Sequence, residues 1–85
     1  MENDAWKNQA NLIKVARIKK GFSQSELSEK LGYKNGQFVS NIERQKCGLP
    51  SKDLAKICKI LDIESEKLKK AIVGDFRNKV ITYFQ

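Results

Sequence analysis

The chain has 85 residues, of which seventeen are basic and ten acidic, giving a net charge of +7 and a pI near 9.6. That length allows one small domain, 1–85, with no room for a separate ligand-sensing domain. The charge favours a polyanionic partner. There is no histidine, no carboxylate cluster and no activated-nucleophile pattern, so general acid–base catalysis lacks its usual players and an enzyme is set aside.

A first helix is expected from about Asn8 to Lys20, with Asp4 as an alternative cap for an earlier start. Trp6, Ala10, Ile13, Ala16 and Arg17 recur at helical spacing and mark its inner face, flanked by Leu12 and Ile18. Gly21 ends it.

Ser23 and Glu26 form a capping box at the start of a second helix. Phe22 and Leu27 are placed to close a hydrophobic staple across it. Leu27 and Leu31 make a buried stripe, Gly32 is the C-terminal stop, and Ser28 is small where helices must pack closely.

A third helix starts near Asn35 or Gly36. Val39 and Ile42 face inward, which leaves Gln37, Ser40, Asn41 and Arg44 on the outer or leading face. Gln and Asn can pair bidentately with adenine, and Ser can meet several bases. Two short helices joined by a tight glycine-containing turn have the layout of a helix-turn-helix, whose second helix enters the DNA major groove.

Residues 45–50 read as a loop. A fourth helix follows, with Ser51 as cap, Asp53 in its first turn, and Leu54, Ile57, Cys58 and Leu61 as its stripe. Lys52, Lys56 and Lys59 form a solvated face. Further on, Leu68, Ile72, Phe76, Val80 and Phe84 repeat every four residues. Three conformations fit this segment: one helix from about Glu64 onwards, a helix over 64–73 with a separate last helix capped by Asp75, or a terminal strand at Val80–Phe84. Gly74 inside a continuous helix costs about 1 kcal/mol relative to alanine.

Cys47 reads as a free loop thiol and Cys58 as a core residue. Their spacing makes no zinc site, and no metal or cofactor is expected. No apolar run is long enough to span a membrane and no signal peptide is visible, so the expected compartment is the cytoplasm.

The ordered set Arg17, Ser23-Gln24-x-Glu26-Leu27, Leu31-Gly32, Val39-x-x-Ile42-Glu43-Arg44, Pro50 and Leu54-x-x-Ile57-Cys58-x-x-Leu61 resembles the lambda-repressor-like, Cro-type domains of the XRE family. The resemblance covers about residues 8–73. It implies an all-α, compact five-helix bundle with a helix-turn-helix; the extension over 74–85 lies outside the resemblance, and its apolar repeat favours a helix. The resemblance also implies a double-stranded DNA-binding regulator, encoded by a bacterium, phage or mobile element. Asn35, Gly36, Gln37, Ser40 and Asn41 would then contact bases. Ser23, Gln24, Lys34, Arg44 and Lys46 would contact phosphates. Arg17 and Glu43 match a structural ion pair between the first and third helices. The turn is one residue longer than in the shortest members, so Asn35, Gly36 and Gln37 compete for the first base-reading position. Phe38 can either meet a thymine methyl or pack near Trp6. A homodimer joined through the segment after Val73 is expected. An antitoxin-type protein, whose C-terminal segment binds a protein partner, is the alternative.

Overall fold

The computed structural model describes residues 5–84, and these hold helices and no strand. Asp4 lies outside the described residues. The helices are α1 (Lys7–Lys20), α2 (Gln24–Lys30), α3 (Gln37–Glu43), α4 (Leu54–Leu61) and α5 (Ser65–Tyr83), with a 3-10 turn at Ser51–Asp53 leading into α4. No helix among them is long and apolar enough to cross a membrane.

The stripes converge on one core. Ile13, Leu27, Leu31, Val39, Ile57, Leu61, Ile63 and Leu68 form a single buried cluster. Full burial of one such aliphatic side chain stabilises by about 1.5–3 kcal/mol. Leu12, Ala16, Phe22, Leu54, Cys58 and Ile72 close over it from outside, so Cys58 is a half-buried neighbour of the core and not a member of it.

The C-terminal ends of α1, α2 and α3 follow one device. At α1 the Phe22 N–H reaches the Arg17 carbonyl and the Gly21 N–H reaches that of Ile18. The same pair recurs at α2, from Tyr33 to Ser28 and from Gly32 to Glu29, and at α3, from Lys46 to Asn41 and from Gln45 to Ile42. These are Schellman ends, which need a left-handed residue. Gly21 and Gly32 supply it at φ 80° and 94°; at α3 the residue is Gln45, at φ 61°. At α4 the left-handed residue is Asp62, at φ 55°. It is paired with Lys20 at 2.6 Å, which holds its carboxyl below the usual carboxylate range, first through the hydrogen bond and then through charge.

One expectation is corrected here, and one of the three conformations open to the C-terminal segment is found. Ser51 does not cap α4: it opens the 3-10 turn after Pro50, and its side chain accepts no capping bond. Asp75 does not start a separate last helix, because α5 runs unbroken through Gly74 and past it. Asp75 is instead 1% exposed, and its carboxylate accepts the Asn8 N–H at 2.8 Å and the Gln9 N–H at 2.9 Å. It caps α1 from the far end of the chain. A carboxylate at a helix N-terminus meets both the open donors and the positive end of the helix dipole. The apolar repeat of α5 therefore divides in two. Leu68 is buried and Ile72 half-buried, whereas Phe76 is 67% and Phe84 86% exposed.

Candidate nucleic-acid interface

α2 and α3 pack at a close crossing because small residues line it. Ser28 is fully buried, and its Oγ accepts the Val39 N–H at 3.2 Å, a donor in the first turn of α3. Gly36, the residue before α3, lies against α2. A Cβ there would come 2.9 Å from Ser25 Oγ and 3.1 Å from Ser25 N. Packing accounts for that glycine. Asn35 Oδ1 accepts the Gln37 N–H at 2.9 Å, so Asn35 caps α3 with its side chain from one position before Gly36.

With Val39 and Ile42 buried, α3 turns its polar side outward. Gln37 is exposed and Asn41 half-buried, and the Gln37 amide donates to Asn41 Oδ1 at 2.7 Å. Ser40 is half-buried, while Asn35, Lys34, Arg44 and Lys46 are exposed around the same helix. The outer surface thus carries two amide groups in register at i and i+4, with cations at both ends of the helix.

A charged cluster beneath sets the angle of α3. Arg17 Nε donates to Glu43 Oε2 at 2.6 Å and Arg17 Nη2 to Glu43 Oε1 at 3.0 Å, a two-point fork. Arg17 Nη1 also donates to the Phe22 carbonyl at 2.7 Å. Gln24 Nε2 donates to Glu43 Oε1 at 3.0 Å. The arginine and glutamate side chains are 12% and 4% exposed. One carboxylate therefore joins α1, α2 and the end of α3. Ser23 completes the capping box with Glu26, at 3.0 Å and 2.7 Å in the two directions. Its Oγ acts within the protein as an acceptor.

The structure adds a residue that sequence reasoning missed, Tyr33. Phe38 packs on Tyr33, with ring centroids 3.8 Å apart and planes 8° from parallel, and not near Trp6. The Tyr33 hydroxyl donates to the buried Asp53 at 2.7 Å. That hydrogen bond, with smaller effects of burial and of the carboxylate charge, raises the phenol above its usual value near 10. The turn between α2 and α3 is thereby pinned to the start of α4. A Tyr–Phe pair five residues apart across a turn has no periodicity to reveal it.

Two short helices crossing on a tight turn, the second presenting hydrogen-bonding side chains to solvent, define a helix-turn-helix DNA-binding module. The family model described as Helix-turn-helix matches residues 13–68. The chain belongs to that family, in its XRE, lambda-repressor and Cro-like branch. Neither the curated proteins nor the solved structures gave a significant match. The family match supports a DNA-binding transcription regulator.

Proposed function

We propose that this protein is a sequence-specific repressor, cytoplasmic and encoded by a bacterium or phage, that binds a palindromic operator as a homodimer. The observation that carries the reading is the outer face of α3, where Gln37 and Asn41 stand with their amides in register above a helix fixed by Glu43. Amide side chains can read adenine bidentately, and each such contact discriminates by about 1–3 kcal/mol. The cations around α3, Lys34, Arg44 and Lys46, suit phosphates on either side of the groove, with Ser23, Gln24 and the N-terminal turn of α3 assisting.

One copy touches few base pairs. Two copies on a two-fold axis read half-sites about 34 Å apart, one helical turn. The exposed apolar end of α5, with Phe76, Val80, Ile81, Tyr83 and Phe84, is the proposed contact between them. The same stripe favours a second reading, an antitoxin-type protein that holds a protein partner there.

Selection of bound duplexes from a random pool, repeated over a range of salt, tests the proposal. An enriched two-fold site and a steep loss of affinity with salt are expected. Gln37→Ala and Asn41→Ala should each cost about 1–3 kcal/mol on the selected site and relax one position, whereas Lys46→Ala should weaken all sequences alike. Equal losses on selected and scrambled duplexes would reject base reading by the two amides. Co-purification of a distinct protein on α5, in place of a second copy, would favour the antitoxin-type reading.

A further inference from the structure

We infer that Gln9 and Asp75 are positioning residues for the loop after the recognition helix, and through it for the phosphate contacts of Lys46. The inference rests on the DNA-binding reading above. The loop leaves α3 at Gln45, whose φ of 61° lies in the region that favours glycine. Gln45 Oε1 is also buried without a hydrogen-bond partner among the described residues. A backbone held this way persists only where its surroundings over-determine it.

Beyond Gln45 the loop is held from both ends of the chain. The Leu49 N–H donates to Gln9 Oε1 at 3.0 Å. The Trp6 indole lies against Gly48, where a Cβ would come within 2.5 Å of Nε1 and 2.6 Å of Cδ1. Lys79 stands 5.6 Å above the Trp6 ring. Asp75 fixes Gln9 itself by accepting its N–H at 2.9 Å. Gln9 is thus held by α5 through its backbone and holds the loop through its side chain, and it is 5% exposed. Buried polar side chains bonded at both ends fix one geometry more strictly than apolar packing does. Trp6, Gln9, Asp75 and Lys79 all fall outside the family match over 13–68. The clasp thus closes on the matched segment from residues flanking it on both sides. Lys46, at the exposed start of the same loop, is the side chain it aims.

Gln9→Met is the cleanest test. It keeps the side-chain length and the N–H that Asp75 receives, and it removes the side-chain amide that holds Leu49. Measurements belong at a temperature where unfolding curves show both proteins fully folded, so that lost stability alone changes nothing. Amide exchange at Gly48 and Leu49 should rise about tenfold while Ile13 and Leu27 keep their protection. Affinity for a mixed-sequence duplex of about two helical turns at low salt should fall about three- to tenfold. The salt slope should flatten by about one phosphate contact. Lys46→Ala added to Gln9→Met should cost less than Lys46→Ala alone, because the two act through one contact. Gly48→Ala disturbs the same loop from the Trp6 side and should reproduce the pattern if Gln9→Met does not fold. Wild-type affinity and slope in a folded Gln9→Met protein, or additive effects with Lys46→Ala, overturn the inference while leaving DNA binding intact. If the wild-type protein binds no duplex at low salt, the DNA-binding reading fails and this inference falls with it.

Discussion

Glu43 is the residue on which the orientation of α3 turns. Its carboxylate takes three donors from two other helices, at 2.6 Å and 3.0 Å from Arg17 and 3.0 Å from Gln24. Breaking a buried pair from one side strands the other charge. Arg17→Met should therefore cost about 3–5 kcal/mol, and the double variant Arg17→Met with Glu43→Leu should recover much of that. Denaturant midpoints decide it; a single variant as stable as wild type would show that the pair is not structural. Tyr33 gives a second residue-scale prediction, with a defined pH sense. Its phenol is raised in the folded state by Asp53. The stability from this contact is then complete below the unfolded value near 10 and is lost as pH rises through the higher folded value. Tyr33→Phe should lower the thermal midpoint at neutral pH, and the difference from wild type should shrink above pH 10. A difference that stays constant to pH 11 would mean that the hydroxyl contributes nothing through Asp53.

At the scale of elements, the C-terminal ends of α1 to α4 separate what sequence can reveal from what it cannot. Gly21 and Gly32 announce the ends of α1 and α2, and the structure has them at positive φ. The capping box at Ser23 and the stripes at Leu27–Leu31 and Val39–Ile42 were equally legible, because each depends on residues within one turn of the next. Gln45 and Asp62 end α3 and α4 in the same conformation with no glycine to mark it. Tertiary packing imposes it. Asp75 fits a local cap as one of three readings for the same reason: an aspartate after glycine has the local signature of a helix start, and the amides it receives lie 67 and 66 positions away. Relieving the left-handed cost at Gln45 should be stabilising, so Gln45→Gly is expected to add about 1 kcal/mol. A lower unfolding midpoint for that variant would show that the Gln45 side chain contributes more through its packing than its backbone loses.

Across the whole molecule, α5 belongs to two structures at once. Its nineteen residues extend about 28 Å at the usual helical rise, beginning in the core at Leu68 and ending in the exposed apolar turns. Removing everything after Val73 would delete the Asp75 cap together with the proposed dimer contact, and the two losses would be confused. A chain ending at Lys79 avoids this, because it retains Asp75 and the cation over Trp6 while losing Val80, Ile81, Tyr83 and Phe84. This shortened protein should keep its unfolding midpoint within a few degrees, sediment as a monomer and bind a two-fold site more weakly. Unchanged association after this truncation would locate the contact elsewhere.

The distant cap also has a bearing on time. A ribosome delivers α1 with its first amides open and supplies their acceptor only after nearly all of the domain has been made. N-terminal parts of a chain emerge and begin to fold first, yet here the first helix waits for residue 75 before its end is closed, and Gln9 waits with it. A nascent chain stalled before that point can bury Ile13 against Leu27, but it lacks the carboxylate that receives the Asn8 and Gln9 N–H groups. Closure of α1, and the fixing of Gln9 with it, thus comes only once residue 75 has been made.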